Sequence, residues 1–216
     1  MKIIELELLS DDLKATEKFY KNVLGLHPYT SGNGILSFKI GYTKLIFRKS
    51  NNLRPVYHFA IDLPGNRFFD SHNFIKGNTA IVPVEPGNDI ANFTAWDAKS
   101  FYFLDNNGNI IEFITRYPNR AYDVEPFSSN SYISVSEIGL VTKNVPELAD
   151  RFVKEFGIPI NPRQPRGDKF TVVGDDEGLF IIGEKGRDWY PTKVQSLSFR
   201  TRVVFMDKGC VWHILR

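Results

Sequence analysis

Cysteine, histidine and long apolar runs are scarce in this chain. Its 216 residues include one cysteine, Cys210, and four histidines. A single cysteine excludes an internal disulfide, and it excludes the thiolate-rich sites that hold structural zinc. No stretch approaches the roughly 18 apolar residues of a membrane helix, and Glu5 and Glu7 interrupt the first apolar run, which excludes a signal peptide. We therefore expect a cytoplasmic protein that is not embedded in a membrane.

A large excess of charge of either sign is also missing. The chain has 27 lysines and arginines against 25 acidic residues, which gives a formal net charge of +2. A protein that neutralises a phosphate backbone needs many more cations, so we expect no nucleic-acid partner. Apolar residues make up 42% of the chain and aromatic residues 14%, enough to build a packed core.

The first fifty residues predict a strand, a helix and then further strands. Residues 3–9 alternate in the manner of a strand, and Ser10, Asp11 and Asp12 offer side-chain oxygens that can cap a helix start. Apolar residues then recur at helical spacing up to Gly25, which is typical of a helix end. A strand near residues 27–30 and strand patterns at 35–40 and 44–48 follow, so the unit is predicted to be a βαβββ module.

The same order of elements recurs along the chain. A second unit has strands predicted at 56–62, 80–84, 100–104 and 110–115, with a weak helix at 67–76. A third unit begins with a strand at 133–142 and a helix capped by Asn144, and residues 147–158 are similar to residues 14–26. Further strands are predicted at 170–173, 179–183, 195–199 and 202–205. The proline- and serine-containing segment 118–131 is predicted to be a linker.

Two segments carry a resemblance to a known family. Residues 12–26 and the strand–D-x-x-G-N–strand run at 100–113 resemble the vicinal-oxygen-chelate superfamily of glyoxalase I, bleomycin-resistance proteins, fosfomycin-resistance enzymes and extradiol dioxygenases. The resemblance implies an α+β fold in which paired βαβββ modules form open, cup-like mixed sheets. It divides the chain into a domain at 1–117 with two modules, the linker at 118–131, and a shortened domain at 132–216 whose last module is incomplete.

The resemblance also implies a divalent metal ion in the cup of the first domain. The family's ligand positions, in the first strand of each module and the last strand of the second, correspond here to Glu5, His58 and Glu112. Each of these residues lies between apolar neighbours in a strand, where a polar side chain needs compensation. One imidazole and two carboxylates form a hard donor set, which suits one Mn, Mg, Ni or Zn ion at least as well as Fe(II).

Simpler interpretations of the same residues remain open. A lone histidine in a strand is usually a hydrogen-bonded core residue, and a glutamate that alternates with leucines, such as Glu5 or Glu7, usually faces solvent. Glu7 is nevertheless the candidate catalytic base. Three further residues are candidate substrate contacts, although each could be a surface or packing residue instead: Arg48, Trp96 and Tyr102. Glu137 lies near the corresponding strand position of the second half, which we expect to hold no metal because it lacks a counterpart of His58.

These observations lead to two hypotheses about function. The first is a metal-dependent enzyme, a dioxygenase or lyase, that acts on a small molecule with vicinal oxygens bound to the metal. The second is a metal-free protein of the bleomycin-resistance type, which sequesters a small aromatic molecule in the cup. In either case the expected partner is a small molecule, and a homodimer is an open alternative to a monomer.

Overall fold

The computed structural model describes residues 1–216, which form fourteen strands and three α-helices. The first module contains β1 (Lys2–Ser10), α1 (Leu13–Leu24), β2 (Thr30–Gly32), β3 (Ile35–Ile40) and β4 (Thr43–Lys49). The second contains β5 (His58–Asp62), α2 (Phe68–Asn78), β6 (Ile81–Val82), β7 (Ala91–Phe93), β8 (Ala98–Leu104) and β9 (Ile110–Arg116). The third contains β10 (Ser134–Thr142), α3 (Val145–Phe156), β11 (Phe170–Asp175) and β12 (Gly178–Glu184). The chain ends with β13 (Arg202–Asp207) and β14 (Cys210–Leu215).

The predicted helices α1 and α3 are confirmed, and both begin and end in the same way. The Asp12 carboxylate accepts hydrogen bonds from the backbone of Lys14 and Ala15, and the Asn144 side chain accepts one from the backbone of Glu147. These side chains satisfy amides that have no partner within the helix. Gly25 and Gly157 end the helices with φ of 68° and 67°, a left-handed conformation that glycine adopts without steric cost.

The modules form two mixed sheets, in agreement with the predicted α+β fold. The first sheet has the strand order β14-β13-β1-β4-β3-β2. The second sheet has the order β11-β12-β10-β5-β9-β8-β6, and β7 pairs with β8. The first module therefore pairs with the end of the chain, and the second module pairs with the third. Each sheet draws strands from both sides of residues 118–131, so neither of the predicted domains contains a complete paired sheet of its own.

The strands that join the modules repeat one irregularity. β1 pairs antiparallel with β13 and shifts register between Ile3 and Glu5. β10 pairs antiparallel with β5 and shifts register between Val135 and Glu137. A bulge of this kind bends the strand and redirects the side chains beside it. Glu5 and Glu137 therefore occupy equivalent places in the two sheets, each immediately after the extra residue.

The main core connects both sheets with the helices. It is one cluster of 38 buried residues from strands of both sheets and all three helices. Separate, smaller apolar clusters lie on the opposite, concave face of the second sheet, around Trp189 and around Ala60. None of the helices combines the length and apolar character needed to cross a lipid bilayer.

Residues 195–199 do not form the predicted strand. Gln195 makes one isolated β-bridge with Asp188. The backbone of Ser196 bonds instead to Gly186 and Arg187, and its hydroxyl donates to the carbonyl of Glu184 at 2.7 Å. The segment thus closes a loop over residues 185–200, because its hydrogen bonds are used locally rather than in a sheet.

Candidate metal site and its cavity

A cavity of about 240 Å³ opens on the concave face of the second sheet. Ten of its fifteen lining residues are hydrophobic, and most of these are aromatic or branched. The sheet contributes His58, Phe93, Tyr102, Glu112, Ile114, Glu137, Phe170, Val172, Leu179 and Ile181, and the connecting segments contribute Trp96, Gln164, Arg187, Trp189 and Tyr190. The composition favours a small ligand that is largely apolar and meets a few polar groups.

Three ionisable side chains converge at this cavity: His58, Glu112 and Glu137. One ligand atom of each lies within 4.8 Å of the others, and His58 Nε2 is 3.5 Å from Glu112 Oε2. Strand register explains the convergence, because both Glu112 on β9 and Glu137 on β10 pair with Ala60 on β5. His58 precedes Ala60 by two residues and shares its face of the sheet. All three side chains are buried.

A backbone contact sets the tautomer of His58. Its Nδ1 lies 3.3 Å from the carbonyl oxygen of Ile110, which can only accept a hydrogen bond. Nδ1 therefore carries the proton, and Nε2 presents a lone pair toward Glu112. Burial lowers the pKa of His58, so the ring is neutral at physiological pH. This is the form of imidazole that binds a metal, with its second nitrogen held by a backbone carbonyl.

The two carboxylates are held away from water. Burial raises the pKa of Glu137 to about 7; Glu112 adds to this rise and Arg116 opposes it. Burial also raises the pKa of Glu112, while the hydroxyls of Ser100 and Tyr102 act in the opposite direction. Desolvation and the proximity of like charges thus both disfavour the anionic forms, and a cation between them would remove that penalty.

Arg116 is the fixed cation beside this group. Its guanidinium donates hydrogen bonds to Asp62 Oδ1 at 3.0 Å, to Ser136 Oγ at 3.1 Å and to Glu137. Burial raises the pKa of Asp62 to about 6, although Arg116 opposes the rise. With all carboxylates ionised, three negative charges on Asp62, Glu112 and Glu137 face the single positive charge of Arg116. The buried group then carries a charge of −2, which one divalent ion would neutralise.

The structure does not bring Glu5 to His58 and Glu112. Glu5 lies on β1 in the first sheet, where it forms ion pairs with Arg202 and with Lys44, the latter at 3.9 Å. The physical reason is the pairing of modules, since the first module joins the end of the chain and not the second module. The second half instead contributes Glu137 to the cluster, which differs from the expectation that this half takes no part in a metal site.

Glu7 and Arg48 also lie in the first sheet, away from the cavity. Glu7 is buried and accepts hydrogen bonds from Arg48 at 3.1 Å and Arg200 at 2.5 Å. It is therefore not placed to act as a base in the cavity of the second sheet. Two of the predicted substrate contacts, Trp96 and Tyr102, do line that cavity.

The sequence analysis assigned Glu137 no part in a metal site, and it did not single out the loop residues Arg187 and Trp189. Glu137 lies seven residues before the cap Asn144, as Glu5 lies seven residues before the cap Asp12, so the repeat marks both positions equally. The repeat does not indicate which strand pairs with the strand that carries each glutamate. The loop residues Arg187 and Trp189 carry no motif, because their role depends on how residues 185–200 fold back over the sheet.

The comparisons with known proteins agree with this architecture. No protein-family model matches the chain, and no curated protein matches it in sequence. Among solved structures, a "putative dioxygenase" from Bacillus subtilis superposes with a TM-score of 0.63 at 16% identity, over 85% of this chain. The chain has the vicinal-oxygen-chelate fold. It spans 63% of the length of the Bacillus protein. A glyoxalase I mutant from Zea mays superposes with a TM-score of 0.53 at 14% identity, over 90% of this chain and 70% of that one.

Proposed function

We propose that this protein is a metal-dependent enzyme that binds one divalent ion at His58, Glu112 and Glu137. We propose further that its substrate is a small molecule with two neighbouring oxygens. One observation carries the proposal: the buried side chains of His58, Glu112 and Glu137 present three ligand atoms within 4.8 Å of one another beside a cavity. Buried carboxylates without a compensating cation are costly, so the arrangement favours a bound metal.

The donor set supports a hard or borderline ion. A neutral imidazole and two carboxylates suit Mn, Ni, Zn or Fe(II), and they leave coordination positions open for a ligand. When bound, such an ion supplies Lewis-acid stabilisation of negative charge that develops on substrate oxygens. The protein's own residues orient the donors: Ile110 fixes the imidazole, and Arg116 fixes the carboxylate of Glu137.

The cavity wall supports a small, flat substrate. Trp189 is buried with its ring centroid 5.3 Å from that of His58, and Tyr102 lies 6.4 Å from His58 on the same measure. We propose that Tyr102 and Trp96 contact the substrate. Their rings would keep bulk water from the donor atoms, which strengthens electrostatic interactions there.

Metal content after purification and reloading tests the site. Protein incubated with Mn, Ni, Zn or Fe(II) and then desalted should hold about one ion per chain by mass spectrometry. His58→Ala and Glu112→Gln should each lower the affinity at least about tenfold, since each removes a donor. Glu5→Gln is the matched control, because Glu5 is the equivalent residue of the first sheet, and it should leave the metal content unchanged. Equal metal content in all variants would contradict the proposal.

A chelating probe tests the open coordination positions. Protein loaded with Co(II) should show visible absorption bands that shift when acetohydroxamate, a small chelator with two adjacent oxygens, is added. Acetamide, which lacks the second oxygen, should leave the bands nearly unchanged. A spectrum that responds to neither compound would mean that the metal has no accessible positions, and the enzymatic proposal would fail while the metal site stood.

The aromatic wall also supports a second candidate function. A metal-free protein that sequesters a planar molecule would use the same ten hydrophobic lining residues. It would bind its ligand equally well with and without chelator. Failure to retain any of the four ions, together with ligand binding that chelator does not weaken, would favour this alternative.

A further inference from the structure

One arginine at the cavity has no acidic partner. Arg187 lines the cavity, and its guanidinium carbon lies 4.6 Å from the centroid of the Phe170 ring. The guanidinium donates one hydrogen bond, a long one of 3.5 Å, to the carbonyl oxygen of Asp188. Two other arginines of the chain differ: Arg116 is bound by carboxylates, and Arg163 pairs with Asp176 at 3.0 Å.

The loop that carries Arg187 holds it in place. The backbone amide of Ser196 donates to the carbonyl of Arg187 at 2.7 Å, and the amide of Trp189 donates to the carbonyl of Val194 at 2.9 Å. Trp189 is 3% exposed and packs over Gly139, where no side chain separates it from the sheet. Hydrogen bonds thus hold the backbone of Arg187, and the flat face of its guanidinium packs on Phe170. Apart from the long bond to Asp188, the N–H groups of the guanidinium remain available to a ligand.

We propose that Arg187 binds a carboxylate on the substrate, and that the substrate is a planar, conjugated acid. This inference rests on the proposed function, because it assigns the substrate a second polar group apart from the two oxygens at the metal. A guanidinium matches a carboxylate through two parallel hydrogen bonds. The aromatic residues Phe170, Tyr190 and Trp96 provide flat surfaces for the ring between the two polar groups.

Binding of two matched probes tests the assignment. Both 3,4-dihydroxybenzoate and 3,4-dihydroxybenzamide carry adjacent oxygens, but only the first carries a negative charge. Isothermal titration of the zinc-loaded protein should show that the benzoate binds at least about tenfold more tightly, since a charge-assisted hydrogen bond is the difference. In Arg187→Gln the preference should fall to within about twofold, with binding of the benzamide unchanged.

Lys185→Gln is the matched control, because Lys185 lies in the same loop, is exposed and does not line the cavity. It removes the same charge and should keep the preference. A preference that persists in Arg187→Gln, or that disappears equally in Lys185→Gln, would overturn the proposal. So would equal binding of the two probes by the unaltered protein.

Failure of this inference can be told apart from failure of the metal site. Zinc content is measured for each variant, and Arg187→Gln should bind zinc as the unaltered protein does. If no zinc binds but the preference for the benzoate still depends on Arg187, the metal proposal fails and the carboxylate site stands. If zinc binds and the preference is absent, the carboxylate site fails and the metal site stands.

Discussion

The two sheets contain the same glutamate in two different electrostatic settings. Glu5 of the first sheet and Glu137 of the second follow the same bulge and precede a helix cap by the same distance. Around Glu5 and its neighbour Glu7 lie Arg48, Arg200, Arg202 and Lys44, which outnumber the acids. Around Glu137 the acids outnumber the single guanidinium of Arg116. Basic side chains of the protein thus already balance the charges of Glu5 and Glu7, whereas the surroundings of Glu137 are suited to an added cation.

The pKa values of the two settings shift in opposite directions. Burial tends to raise the pKa of Glu7, but hydrogen bonds from Arg48 and Arg200 outweigh burial and lower it. At Glu137 burial and Glu112 outweigh Arg116, and the pKa rises. Glu7 therefore stabilises the fold above the pKa it has when unfolded, and this contribution is lost in acid. As long as no cation is bound, Glu137 has the opposite effect, because a raised pKa lowers the stability of the fold as the pH rises. The charged side chains that surround each carboxylate thus set the direction of its pKa shift.

Removal of Arg116 should produce the largest effect. Arg116→Met leaves three buried carboxylates without a fixed cation, and we expect a loss of about 3–5 kcal/mol in the free energy of unfolding without metal. Urea denaturation at pH 7.5 measures this loss. Divalent metal should restore part of it, because the ion would take over the compensation. A loss below about 1 kcal/mol would mean that Arg116 is not the balancing charge.

Metal should stabilise the protein more at pH 7.5 than at pH 5.5. The pKa of Glu137 rises from the usual 4.5 to about 7, so without metal this residue lowers stability progressively as the pH rises through that window. At the higher pH most molecules have already lost this proton before the ion binds, whereas at pH 5.5 the ion must displace it. Zinc at about 100 times its dissociation constant at pH 7.5 should add roughly 2.7 kcal/mol at that pH, and the same zinc concentration should add less at pH 5.5. Thermal melts with and without zinc at both pH values measure the difference, and Glu112→Gln should abolish it.

Gly139 should not tolerate a methyl group. It occupies the position of Glu7 in the repeat, and a Cβ there would lie 2.7 Å from Cη2 of Trp189. Gly139→Ala should cost about 1–3 kcal/mol through overpacking, and the displaced indole should shift the tryptophan emission. Gly77→Ala in α2 is the control, since nothing lies within 4 Å of its Cβ position. It should stabilise the protein by about 0.5–1 kcal/mol. Equal effects of the two changes would contradict the packing shown here.

Removal of Arg48 should produce the smallest effect. Its side chain is 45% exposed, and Arg200 also binds Glu7. Arg48→Met should therefore cost no more than about 1 kcal/mol, in contrast to the same change at Arg116. High salt should reduce the cost further, because exposed ion pairs are screened. A loss as large as that of Arg116→Met would remove the proposed difference between the sheets.

Local signals explain how much of the fold could be predicted from the sequence. The helix caps Asp12 and Asn144 and the glycines that end the helices act within a few residues, so the sequence states them directly. The hairpin after β8 is equally local, because the Asp105 carboxylate accepts hydrogen bonds from the backbone of Asn107 and Asn109. The repeat of such signals predicted the modules and their βαβββ order.

Long-range pairing explains what could not be predicted. The sequence analysis named His58 and Glu112, which share the second module and are brought together by the parallel pair β5–β9. It placed the third candidate ligand at Glu5, whereas the carboxylate that lies beside His58 and Glu112 is that of Glu137, although the repeat treats the two alike. Which glutamate lies near His58 depends on which module pairs with β5, and no local pattern in the sequence indicates that pairing. Loop residues such as Arg187 were missed for the same reason.

The order in which the modules pair determines which part of the sequence supplies the cavity. Every residue that lines the cavity lies between His58 and Tyr190, whereas the first sheet is assembled from chain on either side of that interval. A single contiguous segment of the sequence thus supplies every residue that lines the cavity. An exchange of residues 58–190 between related chains would therefore replace the entire cavity lining at once, and the strands of the first sheet would keep their own sequence.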